Sequence, residues 1–466
     1  MHDVTVKRRS FIKSALAASA VPYMRTFAAQ AKPFLRMGIL SDTHVRSPGP
    51  TLDPFVGALK WFDAQKVDGV VIAGDIVDQG LTEQLRHVGA AWDSVFPGGK
   101  ASDGRAVEKV FVTGNHDNHF WKHASAKKLY PDEKERYDRS IAKDFNAAWT
   151  ECFHEEFIRL YRKDIKGYPF LGFQYGSKGL GGFIEKERAT LDPSKPFFYV
   201  QHQHLKDTCY GPWAWGQDGG ESTAALSKCP NAVAFSGHSH YPLTDERSVW
   251  QGAFTSIGTA SLSYIAAPDC TFYENVRDDE KRVKEMPVFA ARNGKHGMLM
   301  EVFADRIVLS RKNMLPGTVE PLGPDWTIPL PFAEPPPFAF ASRAAKVSVP
   351  EFPANSRVAV KEYDGANRDR VKHRQVAVEF PAATAGGRVY DYEVRAEASG
   401  DDGKALVRRI VSPTFHLPRN RDKGKARCVF SAAELPAKCS FSVYPRNSFG
   451  VCGKPVKSGV WERKTV

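Results

Sequence analysis

Five short polar stretches hold the residues best suited to chemistry in this chain of 466 residues. They are SDTH with Asp42 and His44, GDIVD with Asp75 and Asp78, GNHD with Asn115, His116 and Asp117, QHQH with His202 and His204, and GHSH with His238 and His240. In extended backbone, residues two apart point to the same face, so His238 and His240 can reach one site. A lone His-x-His pair is weak evidence, because an exposed polar turn gives the same pattern. The donor types nevertheless agree with one another. Carboxylates, one amide oxygen and several imidazoles, without thiolates, suit divalent ions of intermediate hardness such as Mn, Fe or Zn. The set Asp42, His44, Asp75, Asn115, His202, His238 and His240 is larger than one tetrahedral ion needs and matches two ions sharing a carboxylate. Two such ions, ~3.5–4 Å apart, clamp both the attacking and the leaving oxygen of a phosphoryl transfer. Two dications with two carboxylates and a bridging hydroxide carry roughly +1, which favours an anionic substrate.

Each polar stretch directly follows a short apolar run: FLRMGIL, GVVIA, KVFVT, FFYVQ and NAVAFS. Together with AFTSIG and the hairpin GMLMEVFADRIVLSRK, these runs read as strands. Residues 51–65 and 81–96 have helical periodicity with polar starts. Alternation of strands and helices predicts a layered α/β domain over 32–314. Ligands bind at the carboxyl ends of strands in open α/β sheets, so the five clusters can converge on one crevice. Residues 119–166 read as a largely helical insertion. Proline then becomes frequent over 315–346, as in IPLPFAEPPPFAF, which predicts an extended linker. Residues 347–466 show short alternating strands separated by turn residues, the pattern of a smaller all-β sandwich.

The N-terminal stretch KRRSFIKSALAASAVPYMRTFAAQA runs from paired arginines through a short apolar segment to Ala29-Gln30-Ala31. The apolar run is far below the ~20 residues a membrane-spanning helix needs. Its order resembles a twin-arginine signal cleaved after Ala31, which implies the twin-arginine export machinery as a partner and a periplasmic or otherwise exported product. The formal net charge is +12. Five basic residues and one acid fall in 1–31, so the remainder carries about +8 without a dense basic run. That balance permits polyanion binding but gives no strong nucleic-acid signal. The 7 cysteines include no C-x-x-C, which argues against thiolate-metal chemistry. An oxidising compartment allows Cys209–Cys229 and a pair among Cys428, Cys439 and Cys452 as candidate disulfides.

The order D-x-H, G-D-x-x-D, G-N-H-D, H, G-H-x-H resembles the signature of the calcineurin-like metallophosphoesterases, from about Phe34 to Asn313. The resemblance implies a four-layer αββα sandwich with a dinuclear site. One ion would be held by Asp42, His44 and His240 and the other by Asn115, His202 and His238. Asp75 would bridge both, with a hydroxide as nucleophile. It also implies that His116 protonates the leaving oxygen and that Asp78 pairs with His116. Of His202 and His204, the first directly follows its strand and is expected at the metal, which leaves His204 for a small phosphate-ester substrate. His119 and Arg46 lie near the motif loops as further candidate substrate contacts. Purple acid phosphatases carry a tyrosine ligand three residues after the bridging aspartate. Here Asp78 stands in its place, so a tyrosinate-bound ferric ion is not expected. The ending CSFSVYPRNSFGVCGKPV resembles the last strands of a fibronectin type III module, with Cys439 where that family has its corner tyrosine. A surface-binding or anchoring protein with an incidental metal site is the alternative to an esterase, and a leaving-group acid at His116 weighs against it.

Overall fold

In chain order the first elements are β1 (Leu35–Leu40), α1 (Leu52–Ala64), β2 (Gly69–Ala73), α2 (Thr82–Val95), β3 (Glu108–Val112) and α3 (Asn115–His119). There follow α4 (Ala124–Leu129), α5 (Glu133–Asp138), α6 (Phe145–Phe153), β4 (Leu160–Ile165), β5 (Tyr168–Phe173), α7 (Leu180–Arg188), β6 (Phe197–Val200), α8 (Glu221–Leu226) and β7 (Ala232–Ser236). Then come β8 (Val249–Gln251), β9 (Thr255–Gly258), β10 (His296–Val302), β11 (Arg306–Leu315), β12 (Thr318–Pro321), β13 (Trp326–Pro329) and α9 (Phe340–Ala344). The structure is a computed structural model that describes residues 32–211, 216–266, 294–366, 372–383, 389–399, 405–412, 415 and 424–464. The expected signal at 1–31 lies outside the described residues.

Two sheets carry the five polar stretches. The first has the order β12-β11-β10-β1-β2-β3, with β13 also on β11; β1, β2 and β3 run parallel. The second has the order β4-β5-β6-β7-β9-β8, in which β5, β6, β7 and β9 run parallel between antiparallel edges. Strand β2 is buried at every position, as expected of a parallel strand covered on both faces. The pleat sorts its neighbours: Met37, Ile39, Val71 and Val110 pack with Phe198, Val200, Val233 and Phe235 of the second sheet. The alternate residues Leu40, Val70, Ile72 and Phe111 pack instead with Phe55 and Phe62 of α1 and Leu85 and Trp92 of α2. On the second sheet, Leu171, Phe197 and Tyr199 meet Leu180 and Ile184 of α7 and Leu226 of α8. Each fully buried large apolar side chain contributes about 1.5–3 kcal/mol, so these clusters fix where the strands end and the polar loops begin.

Two stretches differ from their sequence reading. Leu160–Ile165, taken into the helical insertion, is the edge strand β4. Its charges are tolerated because only Ile165 is fully buried, while the Tyr161 hydroxyl donates to the Phe111 carbonyl at 2.9 Å. Thr318–Pro321 and Trp326–Pro329, within the proline-rich stretch, extend the first sheet from β11. Trp326 and Ile328 anchor them by entering the core between the sheets.

The remaining strands are β14 (Ala359–Ala366), β15 (Lys372–Pro381), β16 (Asp391–Ala398), β17 (Leu406–Val411), β18 (Lys425–Ser431), β19 (Lys438–Arg446), β20 (Val456–Lys457) and β21 (Trp461–Glu462). They form one sheet β14-β15-β18 and another β17-β16-β19-β20, with β21 also on β19. Val376, Val378 and Phe430 from one and Tyr392, Val394 and Phe441 from the other share a core. The six described cysteines are unbridged. Cys209 packs with Tyr210 and Tyr241, whereas Cys229 packs with Leu226 and Ala232, so the candidate Cys209–Cys229 pair is split between two clusters. Among the described residues, no helix is long and apolar enough to cross a membrane.

Candidate dinuclear metal centre

All five polar loops leave the carboxyl ends of parallel strands: Asp42 and His44 after β1, Asp75 and Asp78 after β2, and Asn115 and His116 at the start of α3 after β3. His202 follows β6, and His238 and His240 follow β7. The turns are tight. Asp42, His44, Asp75, His238 and His240 have φ of 50°, 44°, 48°, 72° and 57°. Left-handed non-glycine residues persist only where the surroundings over-determine them, and they cluster at functional sites. Two glycines make the close approach possible: a Cβ on Gly114 would lie 2.1 Å from Asp75 Oδ1, and one on Gly237 would lie 2.3 Å from Asp42 Oδ2. Asp117 staples the loops, its carboxylate accepting from the N–H groups of Gly114 at 2.7 Å, Val77 at 2.8 Å and Ile76 at 3.2 Å. Burial and the charge of Asp75 push Asp117 up to about 7 against those three donors.

The donor atoms fall into two groups. In the first, Asp42 Oδ1 lies 3.0 Å and His44 Nε2 3.2 Å from His240 Nε2. In the second, His202 Nε2 lies 3.1 Å from Asn115 Oδ1, 3.1 Å from His238 Nδ1 and 3.2 Å from Asp75 Oδ2. The same Asp75 oxygen is 3.7 Å from His44 Nε2, between the groups. Carbonyl oxygens only accept, so the contacts of His202 Nδ1 with Ala73 O and of His240 Nδ1 with Tyr264 O, both 2.9 Å, place protons on those nitrogens. Their Nε2 lone pairs therefore face inward. Lone pairs and carboxylate oxygens about 3 Å apart require positive charge among them, and adjacent ligands of one ion at ~2.0–2.2 Å have this spacing. Asp42 Oδ1 is buried without a hydrogen-bonded donor, which also fits a ligand oxygen.

Electrostatics agree. Burial works against charge on His44, yet Asp42, Asp78 and Asp75 hold it up to about 10. His202 is likewise held up to about 9 by Asp75 and Asp42 in spite of burial. Burial, reinforced by neighbouring His202, pushes His238 down to about 3. The pocket thus draws positive charge onto some imidazoles and keeps others neutral, as a cation site does.

A cavity of about 200 Å³ opens on the centre, lined by Asp75, Asn115, His116, His238, His240 and Tyr264 among others. His116 Nδ1 donates to the Asp78 main-chain oxygen at 2.7 Å, and its ring stacks on Phe120 at 3.7 Å between centroids. Burial pushes it down to about 4, with Asp75 opposing. The Asp78 carboxylate does something other than expected. It meets His44 Nδ1 at 3.2 Å and Arg46 Nε at 2.8 Å, and stays 3.9 Å from His116 Nδ1. It backs a candidate metal ligand, and only its backbone holds His116. His204 also departs from expectation: it is 1% exposed, with Nδ1 2.9 Å from Ser236 Oγ and Nε2 2.5 Å from Ser239 Oγ. Both ring nitrogens are engaged inside the protein, which removes it from the substrate side. Arg46 is exposed, and His119 is exposed beside Tyr175.

Tyr264 was not apparent from the sequence. Its ring lies 4.1 Å from His240 and 6.1 Å from His44, and it is 43% exposed on the cavity wall. The run TASLSY follows β9 just as the metal-type clusters follow their strands, but it holds no histidine or carboxylate to mark it. Position after a sheet strand was the available signal.

Residues 35–242 match the family model of the calcineurin-like phosphoesterases. No curated protein matches the chain. Among solved structures, it is similar to a dimetal phosphatase from Danio rerio, at 13% identity and a TM-score of 0.37, covering 64% of this chain and 100% of that one. It is also similar to a purple acid phosphatase from yellow lupin seeds (13% identity, TM-score 0.41, 63% and 53% covered). A third similar structure is the anchor in the inner membrane complex of Plasmodium (11% identity, TM-score 0.36, 64% and 89% covered). The match to the calcineurin-like phosphoesterase family model, over residues 35–242, falls on the same loops that carry the donor atoms.

Proposed function

We propose that this protein is an exported phosphoesterase that hydrolyses phosphate mono- or diesters with two divalent ions, Mn, Fe or Zn. The observation that carries the reading is the pair of donor groups meeting at Asp75, on the wall of a cavity that His116 also faces. Asp42, His44 and His240 would hold one ion, Asn115, His202 and His238 the other, and Asp75 both. When bound, the ions supply an activated water and a positive clamp for the phosphoryl oxygens.

The chain's own groups do the rest. Since His116 Nδ1 is committed to the Asp78 carbonyl, Nε2 is the atom that meets the leaving oxygen. To donate there, the ring must first become an imidazolium, which burial disfavours. A phosphate anion in the cavity supplies the charge that reverses this, so the acid forms where the substrate sits. Arg46, held at Nε by Asp78, keeps the rest of its guanidinium exposed, and a bound phosphate can accept from it. Tyr264 offers an aromatic wall to the organic part of the ester.

The same reading divides the chain into a twin-arginine signal at 1–31, the esterase domain at 32–314, a connection at 315–346 and a sandwich at 347–466. Helices on the outer face of each sheet support four αββα layers. The strand orders β14-β15-β18 and β17-β16-β19-β20, sharing one core, support a fibronectin type III-like module. A mature N-terminus at Lys32 in periplasmic material tests the export part. Metal content measured beside hydrolysis of bis- and mono-(p-nitrophenyl) phosphate tests the chemistry. The expected result is about two ions per chain and turnover of at least one ester. Two bound ions with neither ester cleaved under Mn, Fe or Zn would overturn the esterase reading.

A further inference from the structure

We infer that the C-terminal sheets position the metal-ligand loop: Tyr390, acting through Arg247, Tyr210 and the Tyr241–His204 pair, holds the segment His238-Ser239-His240 in place. The inference rests on the dinuclear reading above. It begins at Ser239, which separates the proposed ligands of two different ions. Both flanking histidines are left-handed, at φ 72° and 57°, a conformation that needs outside support. That support is His204, whose Nε2 meets Ser239 Oγ and whose Nδ1 meets Ser236 Oγ at the end of β7. His204 lies against Tyr241 at 6.1 Å and Tyr210 at 6.0 Å, and those two rings meet edge to face at 4.4 Å.

Behind Tyr210 stands Arg247. Its guanidinium carbon is 5.7 Å from the Tyr210 ring and 4.6 Å from the ring of Tyr390, so one cation joins an aromatic side chain from each part of the molecule. Asp245, fully buried, fixes that guanidinium, accepting from Nε at 3.0 Å and from Nη2 at 2.7 Å. On the other side the residue after Tyr390, Asp391, is also fully buried and accepts from Arg446 Nε at 2.7 Å. Buried ion pairs are weak devices for stability, because desolvation offsets their attraction, and are best attested as devices for register. Two of them beside one cation–aromatic sandwich suit a joint whose task is alignment. The other contacts converge on the same turn: Arg343 of α9 reaches the Glu246 carbonyl and, at 3.4 Å, that of Val249. Tyr390 is thus a positioning residue, several contacts removed from the ions.

The test uses the full chain with Mn²⁺ added alone, followed by calorimetry, and with Co²⁺ followed by its visible spectrum. In Tyr390→Ala and Arg247→Met, affinity for both ions falls together by about tenfold, the lower end for support residues of metal sites, and the Co²⁺ spectrum shifts. Tyr390→Phe, which keeps the ring over the guanidinium and gives up only the hydroxyl's hydrogen bond to Arg247, restores both readouts. Phe430→Leu is the control, since Phe430 packs on Phe441 and Arg408 within the C-terminal sheets. Should Tyr390→Ala not fold, Arg247→Met and Tyr390→Phe decide. Binding by Arg247→Met, and by Tyr390→Ala where it folds, within about twofold of wild type, or an equal loss in Phe430→Leu, would overturn the inference. A wild type that takes up no Mn²⁺ overturns the metal reading itself and removes the ground for this one.

Discussion

The two donor groups are built differently around their shared Asp75. In the first, Asp42, His44 and His240 are 0%, 3% and 5% exposed, and a second carboxylate, Asp78, stands behind His44. In the second, His202 is buried, but Asn115 and His238 are half-buried and line the cavity, which the first group meets only through His240 among its own three residues. Behind His202 stands only a main-chain carbonyl, that of Ala73. More carboxylate charge and less water favour the first group as the firmer holder of a dication. The open second group has room for a substrate oxygen to join its ligands. A centre of this kind separates holding from reacting although its donors lie a few ångströms apart.

The harshest way to break the comparison is Asp75→Asn, because Asp75 alone belongs to both groups. We expect both ions to be lost and turnover to fall beyond the ~10⁴-fold that a missing proton donor can cost. Metal analysis after dialysis checks it, and one ion retained at full strength would show that the groups are independent. His116→Ala comes next and tests the partition from the other side. The main-chain N–H that His116 donates to Asp75 Oδ1 survives the change and its Nε2 stands 3.9 Å from Asp75 Oδ2, so metal content should stay at the wild-type level while hydrolysis of alkyl phosphates drops ~10²- to 10⁴-fold. p-Nitrophenyl esters, whose leaving group needs little protonation, should suffer far less. Equal losses for both ester types would deny His116 its proton.

These expectations also mark what was legible in the sequence. GVVIA-GDIVD could be read because a buried parallel strand is continuously apolar and its carboxyl-end loop carries the polar residues. The grouping of Asp42, His44 and His240 apart from Asn115, His202 and His238, with Asp75 shared, came from the family resemblance; in the structure Asp42, His44 and His240 lie together, as do Asp75, His202 and His238, with Asn115 beside His202. Position in a motif did not reveal which atom of a residue acts. Asp78 was expected to pair with His116 and does so through its main-chain carbonyl, since the turn after β2 directs the side chain to His44 and Arg46. His204 illustrates the limit of spacing: the chain leaves its strand through Gln201 and His202, and two serine hydroxyls bury the second histidine away from the cavity. Strands β4, β12 and β13 escaped because edge strands carry charge and proline, which read as insertion or linker.

Smaller effects sharpen the difference between the groups. Asp78→Asn removes the carboxylate behind His44 and leaves His202 with its Ala73 carbonyl, so affinity should fall ~10- to 100-fold for one ion only. Mn²⁺ titration should then resolve two unequal sites, and a uniform weakening would remove the distinction. The mildest test is pH. In the metal-free protein His44 is held up to about 10 and His202 up to about 9, both above neutrality, so each ion must displace a proton on binding. Affinity should therefore rise with pH, by about tenfold per unit for each proton displaced, and level off once those imidazoles are neutral. The sign is fixed by the carboxylates: acid restores the proton that competes with the ion. Because Asp78 helps hold the proton on His44, Asp78→Asn should flatten the alkaline end of this dependence at the first site and leave the second unchanged. Calorimetry in buffers of different ionisation enthalpy counts the released protons directly. If wild type and Asp78→Asn release the same number at every pH, the carboxylate behind His44 does not distinguish the two groups.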